Sequence, residues 1–149
     1  MVGKDGIIIK DGQIILNSGE KLSIENLIEE ARRIRFIRNQ HFKDTSIRIL
    51  ESSRVVFENC IFENVFFENC DLREISFKNH TVIRNCTFKR CNFNGALFYD
   101  SHIISSTFLS CQMERPLFEN VSEMRDCLFK KCRMHDIFFP LPEFQYNKI

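Results

Sequence analysis

A constant spacing of five constrains this chain more than any other feature. Residues 55–77 read VVFENCIFENVFFENCDLREISF, which sets Phe57, Phe62, Phe67, Leu72 and Phe77 five apart. Five matches neither the 3.6-residue period of a helix nor the two-residue alternation of a strand. Carried in both directions, it divides residues 40 to 139 into blocks whose third residue is large and apolar everywhere except Ser52. His80 and Val121 fall outside the frame. Twelve of the sixteen Phe take the third position, among them Phe57, Phe62, Phe67, Phe77, Phe88, Phe93, Phe98, Phe108, Phe118 and Phe129, which are the expected core. That demand explains why a chain so rich in Phe has no Trp and only two Tyr.

The first residue of each block is mostly small or β-branched, and all seven cysteines fall there. One large and one small inward residue per five-residue side describes a chain wound into flat-sided coils, each stacked on the last. This pattern resembles the pentapeptide-repeat family. The resemblance implies a mainly β fold, a right-handed quadrilateral β-helix with four blocks per coil and about five coils here. The usual Asp or Asn followed by Leu survives only in places, as in CDLRE and CNFNG, so the chain reads as a divergent, Phe-rich member. Coils about 4.8 Å apart give a rod roughly 24 Å long. His80 and Val121 both count to the corner between the fourth and first sides.

Three regions follow. Residues 1–39 are expected to form a cap. GIIIKDGQIIL is a hairpin around Asp11-Gly12, followed by an α-helix capped by Ser23 and stapled by Leu22 and Leu27. Its face of Ile24, Leu27, Ile28, Ala31 and Ile34 would lie across the first coil. Residues 40–139 are the solenoid. Residues 140–149 should leave the ladder at Pro140 and Pro142, with Phe144, Tyr146 and Ile149 folding over the last coil or pairing with a second copy. The resemblance makes a homodimer through this end an expectation.

Net charge is +1, so no global field favours nucleic acid or an anionic membrane. No apolar run approaches the roughly 20 residues of a membrane span. The amino terminus also lacks a signal peptide's apolar stretch, so the chain is read as cytoplasmic, and bacterial or phage-like in character. The odd cysteine count and the absence of CxxC pairs or zinc spacing argue against disulfides and metal. No cofactor is expected.

Catalysis needs polar groups converging in a concavity, and a filled four-sided rod offers walls. His41 and His102 count outward on the first side, His80 to a corner and His135 to an exposed site near the end; none has a Ser or Cys nucleophile placed with it. Cys70, Cys91, Cys111 and Cys132 recur on the third side and read as small buried hydrophobes. No enzyme is expected.

Function then belongs to the outward residues. The fourth side carries Val56, Ser76, Leu97, Leu117 and Phe138 with Tyr99 nearby, an apolar stripe suited to an unidentified protein partner. The second side carries Lys89, Arg90, Lys130 and Lys131, a candidate basic face. The leading expectation is a rigid protein-binding module or inhibitor. The alternative, implied by the resemblance, is a ligand of DNA gyrase or topoisomerase that mimics DNA. B-DNA carries one charge per about 1.7 Å, so such a rod needs about fourteen uncompensated negative charges. Residues 51–149 hold 13 acidic and 12 basic residues, and only Glu51 to Glu74 is locally acidic, through Glu58, Glu63, Glu68 and Asp71. Binding to nucleic acid itself is not expected.

Overall fold

The computed structural model describes residues 8–10, 13–15, 21–23, 36–48, 54–139, 144–145 and 147–149. The fold is mainly β, a four-sided parallel solenoid of about five coils. Its ladders join residues 20 or 21 apart. Phe36–Arg38 pairs with Val56–Glu58, and that strand with Ser76–Lys78; Ser76–Lys78 in turn pairs with Leu97–Tyr99, and Leu97–Tyr99 with Leu117–Glu119. These strands form the fourth side. The ladder thus reaches back to Phe36, in the block RFIRN, whose third residue Ile37 is fully buried.

Turning the chain at every fifth residue requires a corner conformation. The described fifth positions from Asn39 to Asp136, such as Asn59, Asn64, Asn69, Asn79, Asn85 and Asn120, have φ between 49° and 71°. This left-handed region favours Gly and Asn, and Gly95 takes the same place with φ 71°. Side-chain amides then link corners between coils, as Asn59 Nδ2 donates to Asn39 Oδ1 at 2.9 Å and Asn64 Nδ2 to Asp44 Oδ1 at 2.8 Å.

Inside, the phenylalanines form two long stacks. On the second side Phe67, Phe88, Phe108 and Phe129 lie 4.7 to 5.0 Å apart with rings within 14° of parallel. On the fourth side Phe57, Phe77, Phe98 and Phe118 stack at 4.8 to 5.5 Å. Phe62 and Phe93 fill the space between at steeper angles. All the expected core phenylalanines are buried except Phe118, which is half-buried. Aromatic pairs in such geometry contribute about 0.5–1.5 kcal/mol beyond area burial.

The insertions share the expected corner, but one is displaced. His80 is an extra exposed residue between Asn79 and the buried Thr81. At the next such corner Val121 itself is buried, at 3% exposure, and Ser122 is the extra exposed residue. An apolar side chain takes the inward place and the serine faces water.

The ends correct two expectations. At the amino end the hairpin forms as read, with Ile8–Lys10 antiparallel to Gln13–Ile15 around Asp11-Gly12. A third strand, Lys21–Ser23, pairs with Gln13–Ile15. Leu22 and Ser23 therefore belong to a strand, and the helix expected over 24–34 lies outside the described residues. No helix occurs among the described residues, hence none long and apolar enough to cross a membrane.

At the carboxyl end the ladder continues beyond the prolines. Phe144–Gln145 adds in parallel to Glu123–Arg125, and Lys148 bridges Leu128. The rule against proline in a central ladder fails here for a local reason. Several first-position N–H groups bond elsewhere than to a backbone carbonyl of another coil: Cys60 and Cys86 donate to side-chain oxygens of Thr81 and Ser106, while Ile75 and Ala96 donate three residues back. Pro116, buried at a first position, costs no ladder bond, and Leu117 N still donates to Ala96 O at 2.8 Å. Pro142 has the same place in sequence relative to Phe144.

Removing one ring from the middle of a stack tests this packing. Phe98→Ala should destabilise by about 3–5 kcal/mol, read as a lower urea midpoint with an unchanged slope; a loss under about 1 kcal/mol would contradict the stack.

Candidate binding walls

Each wall is built from columns of equivalent positions, so any outward residue meets its counterparts above and below. The charged columns mostly neutralise themselves. Glu58 accepts from Arg38 at 2.8 Å and lies 3.8 Å from Lys78. Glu63 meets His41 at 3.3 Å and Lys43 at 4.0 Å, Glu68 meets Arg90 at 3.0 Å and Lys89 at 3.6 Å, and Asp71 holds Arg73 at 2.8 Å. The locally acidic stretch is therefore compensated at each of these residues. The same pairing divides the candidate basic face, because Lys89 and Arg90 are taken by Glu68. Lys130 and Lys131 are exposed at its far end.

The fourth wall is different. Val56, Ser76, Leu97 and Leu117 form one registered column, with Tyr99 two residues beyond Leu97 and half-buried. Val56 and Leu97 are half-buried, whereas Leu117 is 54% and Phe138 83% exposed. Apolar exposure thus rises toward the carboxyl end.

The histidines do not converge with a nucleophile. They meet single carboxylates: His41 with Glu63, His80 with Asp100 at 3.5 Å, His102 with Glu123 at 3.8 Å and His135 with Asp136 at 3.5 Å. A polar hollow beside Gly95 is bordered by Arg54, Glu74, Glu114 and Arg115. Its arginines are engaged as well, Arg54 by Glu74 and Arg115 by Asp136.

The first-position cysteines do more than fill space. All seven are thiols, and six are buried, with Cys132 half-buried. Cys60 Sγ donates toward Glu58 O at 3.4 Å and Ile37 O at 3.5 Å; Cys86 contacts Arg84 O and Phe62 O, both at 3.3 Å. Thr81 Oγ1 serves the same purpose toward Lys78 O at 2.8 Å and Phe57 O at 3.2 Å. A small residue with one hydrogen to donate thus satisfies corner carbonyls of two coils. The sequence signal is the repeated choice of Cys, Ser or Thr where Ala would also fit. Ser101 is the exception, its buried Oγ without a hydrogen-bond partner.

Burial pushes the Cys60 thiol up to about 12, and Cys86 and Cys127 to about 11. In the third-side column, the adjacent thiols Cys132 and Cys91 hold Cys111 below the ordinary range, and the proximity of Cys111 pushes Cys91 and Cys132 up.

These features define a four-sided β-solenoid with a filled interior. The family model described as pentapeptide repeats (8 copies) matches residues 53–81, and the four-sided solenoid agrees with that match. A pentapeptide repeat protein, Rfr23, from the cyanobacterium Cyanothece 51142 aligns over 84% of this chain and 95% of its own, at 6% identity and TM-score 0.56. A pentapeptide repeat protein from the Arabidopsis thaliana thylakoid lumen aligns over 60% and 64%, at 13% identity and TM-score 0.28. QnrB1, a plasmid-mediated fluoroquinolone resistance protein, aligns over 75% and 82%, at 13% identity and TM-score 0.24. No curated protein matches the chain.

Two outcomes follow from the first-position chemistry. Ser101→Ala removes an unsatisfied hydroxyl, so it should be neutral to about 1 kcal/mol stabilising in denaturant unfolding; a clear loss would show that Oγ has a partner. The raised thiols link stability to alkaline pH. Unfolded thiols ionise near pH 9.0, while the folded ones stay protonated, so their contribution is fully present below pH 9 and is lost as pH rises toward 11 to 12. Under reducing conditions the melting temperature should fall across that window, and substituting Cys60, Cys86 and Cys127 by Ser should flatten the fall.

Proposed function

We propose that this chain is a non-catalytic, rigid binding module that docks a protein partner on its fourth wall. The registered column of Val56, Ser76, Leu97 and Leu117, followed in the chain by the exposed Phe138, carries this reading. Exposed apolar stripes of this kind mark contact sites. The flat wall is also prepared for binding, since the stacked core beneath fixes it and little ordering entropy is lost on contact. The charge pattern argues against the DNA-mimic alternative, because Glu58, Glu63 and Glu68 are each held by cations of adjoining coils or corners. Seven thiols suit a reducing compartment such as the cytoplasm. A second copy meeting Phe138 is the homodimeric form of the same reading.

Capture from lysate with the native chain and with Leu97→Lys/Leu117→Lys tests it. The double variant should melt within a few degrees of the native chain and lose at least about tenfold of the captured partner, a cost of about 1.4 kcal/mol. A Lys130→Gln/Lys131→Gln control should keep it. Capture that survives the leucine changes and disappears with the lysine changes would move the contact to the second wall.

A further inference from the structure

The third wall contains a column whose chemistry the binding reading does not use. Cys70, Cys91, Cys111 and Cys132 occupy its first positions in successive coils. The residues that follow them are in parallel register, Asp71 with Asn92, Asn92 with Gln112 and Gln112 with Arg133. Their sulfurs share one orientation because each contacts the carbonyl two residues back: Cys70 toward Glu68 O, Cys91 toward Lys89 O, Cys111 toward Leu109 O and Cys132 toward Lys130 O. The last three also contact the preceding coil, at Phe67 O, Phe88 O and Phe108 O. Side chains with one rotamer on strands in register repeat at the strand spacing, about 4.8 Å.

That distance separates two outcomes for a thiol pair. A disulfide needs β-carbons about 3.5–4.5 Å apart and sulfurs near 2.05 Å, so both thiols would have to leave their corner carbonyls and the β-carbons draw together. Two metal–thiolate bonds of about 2.3 Å placed end to end span about 4.6 Å, close to the strand spacing of about 4.8 Å. The described residues gather no set of three or more His, Cys, Asp or Glu that could hold a metal. A tetrahedral zinc site is therefore not built here, whereas a two-sulfur site suits a soft ion, which selects thiolate and thioether ligands.

We propose that Cys111 and Cys132 form a binding site for a soft, thiophilic metal ion of the Cu(I) class. Cys132 is half-buried and gives access, while Cys111 behind it is 1% exposed. The next inward residues are Met113 and Met134, also in register. They place thioethers on the same inner face two residues on, with Met134 half-buried. Binding releases two protons to solvent, one from each thiol, and leaves a bis-thiolate complex of net charge −1. Lys131 and Arg133 flank Cys132 in the chain, with Lys130 beside them. All three are exposed and none is engaged by a carboxylate among the described residues, so the cations are placed to offset that charge.

Anaerobic titration of the reduced full chain with Cu(I), presented as a coloured bidentate chelate, tests the site. The native chain should withdraw one Cu(I) per molecule, and Cys132→Ser should lose it. That serine can donate the same corner hydrogen bond, as Ser106 does toward Ile104 O at 3.0 Å, and an unchanged circular dichroism melt checks the fold. Cys127→Ser, on another wall, should bind as the native chain does. Lys131→Gln/Arg133→Gln should weaken binding about tenfold without changing the stoichiometry. Undiminished binding by Cys132→Ser, failure of the native chain to compete with the chelate, or a Cys111–Cys132 disulfide formed by mild peroxide would each overturn the proposal.

Discussion

A chain that turns a corner every five residues and stacks each coil on the last must repeat itself sideways. The left-handed residue at each fifth position enforces this, because it sets the next wall at the same place in every coil. Once the corners align, inward residues can only meet inward residues of adjoining coils. Phe stacks on Phe, and the corner carbonyls find Cys, Thr or Ser of the neighbouring turn. Even the insertions at His80 and Ser122 obey the rule, since both lie at the corner between the fourth and first walls.

The same repetition shapes the outside. A charge at a second or fourth position is read against the residue 20 or 21 places away, so the walls either cancel, as Glu58 does with Lys78, or accumulate, as Val56, Leu97 and Leu117 do. That apolar column becomes exposed toward the carboxyl end, at Leu117 and Phe138. The cations around Cys132 stand out for the complementary reason, since the preceding coil sets Leu109 and Gln112, not a carboxylate, beside Lys130 and Arg133.

Much of this was legible in the sequence because burial of a large side chain at a constant interval leaves a plain signal. The third-position rule located the core from Phe57 to Phe129, and Asp11-Gly12 located the hairpin. What escaped depended on backbone hydrogen bonding that composition does not display. Pro142 looked like an end because ordinary strands need that N–H, whereas first positions such as Cys60, Cys86, Ile75 and Ala96 send it elsewhere than to the ladder. Cysteine looked like a small hydrophobe because its donated hydrogen bond is visible only with the corner carbonyls in place. At the corner of Val121 and Ser122 the apolar residue is the one worth burying, a choice the sequence itself displays. The neutralised acidic row was also available from the sequence, by adding one coil length to each glutamate.

Residue-resolved amide hydrogen exchange would test the stacked-coil account most directly. Ladder amides of the second, third and fourth positions between Val56 and Lys130 should exchange together, at one protection level that tracks the global unfolding free energy measured in urea. Protection that decays wall by wall, with the third wall exchanging far ahead of the phenylalanine-stacked second and fourth walls, would contradict an interior held as one cooperative stack.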